Sequence, residues 1–182
     1  MSDEFAVTSS ETLLSSFVFE VERRTVVARQ ESFTRDVVTH NGAVGVVAVT
    51  PDGRVGLLRQ YRAPFDREVW EIPAGTLDVQ GESELLAAKR ELLEEVGGRS
   101  DDWQQLGSFM VSPGWTNQVM HLFKAENVRV SKAAPEGPEE NAMSVCWLTL
   151  DEIRDLINST QPLDFSLSMG LALCFGADIF DR

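Results

Sequence analysis

A run of apolar and β-branched residues in the first third of the chain limits the fold more than any other feature. Residues 43–50 are nearly all of this type, which is typical of a strand that is buried on both faces. The turn sequence Pro51-Asp52-Gly53 follows, and the strand-like segment 55–61 returns as its hairpin partner. The sequence therefore predicts a sheet with at least one strand in the protein interior.

Further strands and helices are predicted along the chain. Residues 1–11 are polar and are expected to be frayed. Alternating or apolar segments predict strands at 16–30, 33–40, 68–72, 103–111, 119–125 and 143–148. Helices are predicted at 83–96, 151–158 and 165–180, and a loop at 131–141. This order of elements favours an α/β or α+β sandwich with a small β-rich N-terminal part.

Composition and charge narrow the classes of function. The chain has 182 residues, 43% of them hydrophobic and 25% charged, as in a folded globular protein. Its formal net charge is −13, and because such a surface repels nucleic acids and anionic membranes, neither is an expected partner. No secretory signal or bilayer-spanning stretch is visible, so a cytoplasmic protein is expected. Cys146 and Cys174 lie among apolar residues, which favours buried reduced thiols over a disulfide.

The predicted helix at 83–96 carries the clearest chemical signal. Ser83 suits its N-cap and Gly97 its C-terminal end. Glu91, Glu94 and Glu95 stand at i, i+3 and i+4, so their carboxylates share one side of the helix. Like charges at this spacing destabilise a helix by roughly 0.2–0.5 kcal/mol per pair. A hard divalent cation would compensate, and it would let an acidic protein hold an anionic diphosphate. An isolated glutamate cluster is more often a solvated helix face. The neighbouring residues are therefore needed to distinguish a metal site from such a face.

Those neighbours resemble the signature of the Nudix hydrolases, G-x5-E-x7-R-E-U-x-E-E-x-G-U, where U is an aliphatic residue. The positions that match in type and spacing are Glu82, Arg90, Glu91, Leu92, Glu94, Glu95 and Gly97. Gly75 departs from the signature because six residues, rather than five, separate it from Glu82. Gly98 also departs from it, because it occupies the last aliphatic position. Both departures leave every carboxylate in place.

Segments outside the signature resemble one branch of this superfamily, the ADP-ribose pyrophosphatases. The similar segments are 33–38, 40–44, 58–62, 70–75 and 112–116. Pro113, sixteen residues beyond Gly97, is the marker of that branch. The resemblance implies a Nudix-type α/β/α sandwich with a mixed central sheet at 39–182. It also implies a small N-terminal β-sheet segment at 1–38 that serves dimerisation.

The activity implied by the resemblance is Mg²⁺-dependent hydrolysis of the diphosphate of ADP-ribose, or of a similar nucleoside diphosphate sugar, by a homodimer. ADP-ribose would give AMP and ribose 5-phosphate, and Mn²⁺ could replace Mg²⁺. Glu91 and Glu95 would ligate the metal, Glu94 would share a second ion, and the Ala74 carbonyl would complete a site. Glu94 and Glu95 are thereby candidate catalytic residues, and Arg90 would orient the glutamates by an ion pair.

Substrate contacts and a general base are also implied. Arg62 is the expected phosphate contact, because a guanidinium can hold phosphate oxygens in bidentate fashion, and Arg59 is a second candidate. Both arginines also fit the exposed end of a strand. Glu71 fits the metal or ribose environment, or a plain strand position. The base is expected in the loop after the signature, where Glu140 is favoured over Glu139, although both suit a solvated acidic loop.

Aromatic residues could contact the rest of the substrate. Phe33 and Arg35 are candidates for the nucleobase, and Trp115 beside Pro113 for the sugar. Ordinary packing is the alternative for each of them. His40 and His121 show neither triad nor zinc spacing and are interpreted as structural.

Two other functions remain open at this stage. A Nudix hydrolase that prefers GDP-mannose, another nucleotide sugar or a dinucleotide would differ only in the shapes of its loops. A non-catalytic sensor of ADP-ribose or a nucleotide sugar usually carries a broken signature, whereas Glu91, Glu94 and Glu95 are all present here.

Overall fold

A computed structural model describes residues 5–29, 31–131 and 142–181. The chain divides into two compact units. The first contains the residues up to Gly42 together with Phe109–Met120, and the second contains Ala43–Ser108 and the residues from His121 onward.

The first unit is built on a three-stranded antiparallel sheet. Its strands are β1 (Phe5–Ser15), β2 (Phe19–Ala28) and β3 (Glu31–His40), in the order β1-β2-β3. The segment 109–120 is attached to β3 by backbone hydrogen bonds, one of which runs from the Val38 amide to the Trp115 carbonyl at 2.8 Å.

The prediction that residues 1–11 are frayed is wrong for residues 5–11, because a strand begins at Phe5. Residues 1–4 lie outside the described residues. β1 pairs with β2 along its length, with register shifts between Val7 and Ser9 and between Thr12 and Leu14. Every residue of β1 is exposed, so its sequence has no alternation between a buried and a solvated face. Backbone pairing alone defines this strand, and a pattern of hydrophobic residues does not reveal it.

A seven-stranded sheet forms the centre of the fold. Its order is β12-β5-β4-β10-β9, with β6 paired to β5 and β7 paired to β4. The corresponding ranges are β4 (Ala43–Val49), β5 (Val55–Arg62), β6 (Arg67–Glu71), β7 (Ala74–Thr76), β9 (Asp102–Met110), β10 (Val119–Glu126) and β12 (Ser144–Leu148). A separate pair joins β8 (Gly98–Arg99) to β11 (Arg129–Val130).

β4 is buried on both faces, as its composition predicts. Val44, Val46 and Ala48 pack in a core with helix α1 (Glu84–Val96). Val47, which alternates with them, lies against Gly170 of helix α3 (Phe165–Phe175). Helices therefore cover both faces of the sheet at β4, which gives the predicted α/β/α sandwich.

Capping residues in the sequence set the ends of the helices. The Ser83 hydroxyl accepts a hydrogen bond from the Leu86 amide, and Gly97 ends α1 with φ 67°, where glycine is favoured. Helix α2 (Leu150–Asn158) begins with a capping box between Thr149 and Glu152.

The last predicted helix, 165–180, is shorter in the structure. It ends at Phe175 because Gly176 adopts φ 88°, and a 3₁₀ turn, Ala177–Phe180, follows. The predicted loop at 131–141 lies outside the described residues except for Ser131. Both cysteines are free and half-buried, and burial raises the pKa of Cys174 to about 11. Within the described ranges, no helix is both long and apolar enough to cross a membrane.

We predict that Gly170→Ala destabilises the protein by about 1–3 kcal/mol, the usual cost of overpacking a core. A Cβ at this position would lie 2.6 Å from Cγ2 of Val47, so the new methyl group has to displace β4 or α3. Alanine is the better helix former, so propensity alone predicts the opposite sign. Urea denaturation measures the change. Gly114→Ala, which places its Cβ where nothing lies within 4 Å, is the matched control and should change stability by about 0.5 kcal/mol or less.

Candidate active site

Two of the signature glutamates are buried against the backbone of β7. Glu91 is 7% exposed and Glu95 is 4% exposed. The Glu95 carboxylate accepts a hydrogen bond of 2.9 Å from the Ala74 amide. A Cβ added to Gly75 would overlap the Glu91 carboxylate, so the glycine is what lets β7 and α1 come this close. The structure thus brings Ala74, Glu91 and Glu95 together.

Arg90 is the centre of an ion-pair network on the same helix. Its Nη1 lies 2.6 Å from Glu91 and 3.1 Å from Glu94, and its Nη2 lies 3.1 Å from Glu82. Asp78, 3.7 Å away, adds a fourth carboxylate. Burial alone would lower the pKa of Arg90, but its hydrogen bonds and charge contacts with these glutamates outweigh that effect and raise the pKa. In this structure a guanidinium supplies the positive charge that the clustered carboxylates require.

The donor set of the cluster fits a hard divalent cation. Carboxylate oxygens are the ligands that such a cation prefers, and Glu91, Glu94 and Glu95 present them on adjacent turns of one helix. Within the part of the chain that the structure describes, no three His, Cys, Asp or Glu side chains converge as they would around a metal ion. To hold one, Glu91 and Glu94 would exchange their contacts with Arg90 for contacts with the metal.

Arg62 and Glu71 form a second, partly buried ion pair. Nε and Nη2 of Arg62 donate to the two carboxylate oxygens of Glu71 at 2.7 and 2.5 Å, and Gln60 donates to Glu71 at 3.2 Å. Glu71 is 5% exposed, so this pairing satisfies a carboxylate that water scarcely reaches. The Glu71 hydrogen bonds raise the pKa of Arg62 against the effect of burial, and the charges of Glu95 and Asp164 add to the rise. Arg62 therefore lies within electrostatic reach of the glutamate cluster.

Arg59 is directed differently from Arg62. Gln60 and Arg62, two residues apart on β5, both bind Glu71, so they share one face of the strand. Arg59 alternates with them, pairs with Glu68 at 2.5 Å and lies 6.0 Å from the ring of Trp70. The structure does not bring Arg59 together with Arg62.

The remaining predicted site residues lie elsewhere in the chain. Phe33, Arg35, Pro113 and Trp115 belong to the first unit, whereas the glutamate cluster belongs to the second. The Arg35 guanidinium lies 4.5 Å from the Phe33 ring, and Trp115 is 56% exposed. The candidate bases, Glu139 and Glu140, lie outside the described residues.

Both histidines make structural contacts. Nδ1 of His40 accepts a hydrogen bond from the Gly42 amide at 2.9 Å, and burial lowers the pKa of this histidine. Nδ1 of His121 lies 2.8 Å from the Ser108 hydroxyl.

The sequence did not reveal several contacts of the site. Asp78 stands in the stretch 76–81, which is one residue longer than the signature allows, and that extra length was its only signal. Gln60 could have been found by its alternation with Arg62 on β5. The proximity of Asp164 to Arg62 depends on the path of the chain between α2 and α3, for which the sequence has no local signal.

Comparison with known proteins places the chain in a family. A family model described as NUDIX domain matches residues 39–166. The chain therefore belongs to the NUDIX family, and it is a Nudix hydrolase, as the signature predicted.

Individual relatives are similar over most of their length. An ADP-ribose pyrophosphatase of Mycobacterium tuberculosis is 38% identical over 151 residues, which cover 82% of this chain and 72% of that protein. An ADP-ribose pyrophosphatase of Bacillus subtilis is 36% identical over 130 residues, covering 71% and 70%. A crystal structure described as an ADP compounds hydrolase superposes with a TM-score of 0.80 at 23% identity, covering 94% of this chain and 92% of the other. The structural match supports the fold.

We predict that Arg62→Met lowers the free energy of unfolding by roughly 2–3 kcal/mol, because it leaves the buried Glu71 carboxylate without its cation. This is below the loss for a fully buried pair, since 39% of the Arg62 side chain is exposed to water. Chemical denaturation measures the change. The double variant Arg62→Met/Glu71→Leu should recover much of the loss, because it removes both charges.

Arg59→Met is the matched control on the same strand. Both members of its ion pair with Glu68 are more than 40% exposed, so its removal should cost about 1 kcal/mol or less. Equal losses at Arg59 and Arg62 would show that the Glu71 pair is not specially important.

Proposed function

We propose that this protein hydrolyses the diphosphate of ADP-ribose, or of a similar nucleoside diphosphate sugar, in a reaction that requires Mg²⁺ or Mn²⁺. The observation that carries the proposal is the pair of buried carboxylates, Glu91 and Glu95, packed against the backbone of Ala74 and Gly75. Water scarcely reaches these two carboxylates, and a divalent cation bound beside them would offset the cost of burying their charge. The similarity to ADP-ribose pyrophosphatases supports the choice of substrate.

Different side chains of the protein have different roles in the proposed reaction. Glu91, Glu94, Glu95 and the Ala74 carbonyl would hold the metal, which when bound neutralises the diphosphate and activates a water molecule. Arg90 keeps the carboxylates on one side of α1 through its ion pairs, so it acts as a positioning residue.

Arg62 is the proposed phosphate contact. Glu71 occupies two of its N–H groups and fixes the plane of its guanidinium, and the remaining N–H groups can donate to phosphate oxygens. We propose that Glu140 or Glu139 accepts the proton of the attacking water.

We propose separate contacts for the nucleobase and for the sugar. Phe33 and Arg35 offer a flat surface for the nucleobase, since the guanidinium already lies over the aromatic ring. Trp115, with Pro113 beside it, offers an exposed ring for the sugar.

We further propose that the protein is a homodimer formed through the first unit. Large apolar side chains are exposed on β1, with Phe5 at 64% and Val7 at 58%, and in the connection between β1 and β2, where Phe17 is 96% exposed. Exposed apolar clusters of this kind mark interaction surfaces.

Light scattering at micromolar concentration should return the mass of a dimer. The double variant Phe5→Glu/Val7→Glu, which places charge on one face of β1, should shift the mass towards that of a monomer. Ala6→Glu, on the alternate face, is the matched control. A monomer mass for the unaltered protein would contradict the proposal.

The catalytic proposal predicts that Glu95→Gln lowers kcat with ADP-ribose by at least about 100-fold, the upper end for residues that only support a metal ligand. Neutralising this buried carboxylate removes a metal ligand. Products are separated by chromatography, and AMP and ribose 5-phosphate should form with Mg²⁺ but not with EDTA. Glu84→Gln, an exposed glutamate of the first turn of the same helix, is the matched control and should retain activity.

The same assay with GDP-mannose and NADH separates the alternatives. Faster turnover of either compound than of ADP-ribose would keep the mechanism and change the substrate. Binding of ADP-ribose without turnover, in the wild type as in Glu95→Gln, would contradict catalysis and favour a sensor.

A further inference from the structure

A pocket opens on the other side of α1 from the glutamate cluster. It has a volume of about 280 Å³ and is lined by residues of α1, β8, β11, the start of β9 and the connection between β8 and β9, all of the second unit. Lys89 lies in its wall and precedes Glu91 by two residues. Because an α-helix turns by about 100° per residue, Lys89 and Glu91 face nearly opposite directions. The pocket is therefore separate from the candidate active site.

The lining of this pocket is basic in a protein that is otherwise acidic. Lys89, Arg99 and Arg129 contribute three cations from three elements, and Asp101 contributes the one carboxylate. Within the described residues, only Arg129 has an ion-pair partner, Asp101 at 2.8 Å. That pair is 67% and 89% exposed, so it adds little stability. Positive charge accumulates here although the net charge of the chain is −13.

The register of a two-stranded sheet forces two of these cations together. Arg99 of β8 lies directly opposite Arg129 of β11. Like charges at directly opposed positions destabilise a sheet. A bound anion between the two guanidinium groups would remove the repulsion, as a metal does for clustered carboxylates.

A glycine that departs from the family signature makes this arrangement possible. Gly98 stands where an aliphatic residue is usual, and a Cβ there would lie 2.9 Å from Cγ of Leu92 and 3.0 Å from Cγ1 of Val128. Without that side chain, β8 lies directly on α1. The close packing puts Arg99 into the same pocket as Lys89.

An aromatic ring completes the pocket. Nζ of Lys89 lies 5.8 Å from the centre of the Trp103 ring. The indole N–H of Trp103 donates to the Ser100 carbonyl at 2.9 Å, and the ring meets Phe123 edge-on at 6.5 Å. These contacts hold the ring in place, so it is a preformed apolar surface beside the three cations.

We propose that this pocket binds the phosphate group of a small molecule, either free phosphate or a phosphomonoester. Arg99 and Arg129 would donate to its oxygens, and Lys89 would contribute charge. The pocket volume lies near the lower limit of small-molecule sites, which suits a compact anion. Asp101, being largely exposed, can turn towards solvent when the anion enters.

Isothermal titration of the metal-free full-length protein in EDTA tests this proposal. Inorganic phosphate and AMP are the probes, at constant ionic strength. One saturable site per chain is expected. Arg99→Ala and Arg129→Ala should each weaken the Kd roughly tenfold, the loss expected for one charge-assisted hydrogen bond. Glu95→Gln, altered at the candidate active site, should bind phosphate as the wild type does, so the result does not depend on the proposed activity.

Two further variants distinguish binding in this pocket from a general effect of removing positive charge or from misfolding. Arg154→Ala removes a partly exposed arginine that pairs with Asp151 on α2, and it should leave the Kd unchanged. Lys89→Gln provides a third variant of the pocket if either arginine variant fails to show a cooperative thermal transition. Tighter binding of AMP than of phosphate, weakened by Arg99→Ala and by Arg129→Ala but not by Arg62→Met, would support the proposal and identify a phosphomonoester as the ligand. Equal binding of AMP and phosphate, weakened by the same pocket variants, would support it for the phosphate group alone. No saturable binding, or equal weakening by Arg99→Ala and Arg154→Ala, would overturn it.

Discussion

The grouping of carboxylates on one side of α1, and the positive charge that this grouping requires, is the constraint on which the site depends. Glu91 and Glu95 are almost entirely buried, and a buried carboxylate without a partner costs several kcal/mol. In the structure Arg90 meets part of that requirement through its contacts with Glu91 and Glu94. A divalent cation would have to compete with this guanidinium for the same oxygens. Arg90 therefore keeps the carboxylates grouped without a metal and also sets the affinity that a metal has to exceed.

The scaffold holds this charged helix face in place by close backbone packing at three glycines. Gly75 lets β7 meet Glu91, Gly98 lets β8 lie on Leu92, and Gly170 lets α3 approach Val47 of β4. In each case a side chain would force apart two elements that the site or the core needs together. β4 is the common support, because α1 packs on one of its faces and α3 on the other. The apolar run that makes β4 recognisable in the sequence thus also fixes the position of the glutamates.

The sequence predicted those elements whose signals are local. β4 was visible in its composition, α1 in its caps, and the carboxylate cluster in its spacing, so the centre of the site followed from the sequence. The sequence did not predict three kinds of feature. β1 shows no pattern because all its residues are exposed, β8 and β11 are too short to show one, and α3 ends early through the conformation of Gly176. The sequence also did not identify Glu71 as the partner of Arg62, because their ion pair depends on how β5 pairs with β6.

α1 carries opposite charges on its two sides, and its dimensions determine how strongly the two sides affect each other. The helix is about 10–12 Å wide with its side chains, and the Debye length is about 10 Å at 0.1 M salt. An anion near Lys89 and a cation near Glu91 would thus lie about one Debye length apart. Their attraction through solvent is weak at physiological salt and grows as the salt concentration falls. An influence of the basic pocket on the glutamate cluster that persists at high salt would point to packing within α1, where Leu92 lines the pocket, lies in the buried core and follows Glu91 directly in the chain.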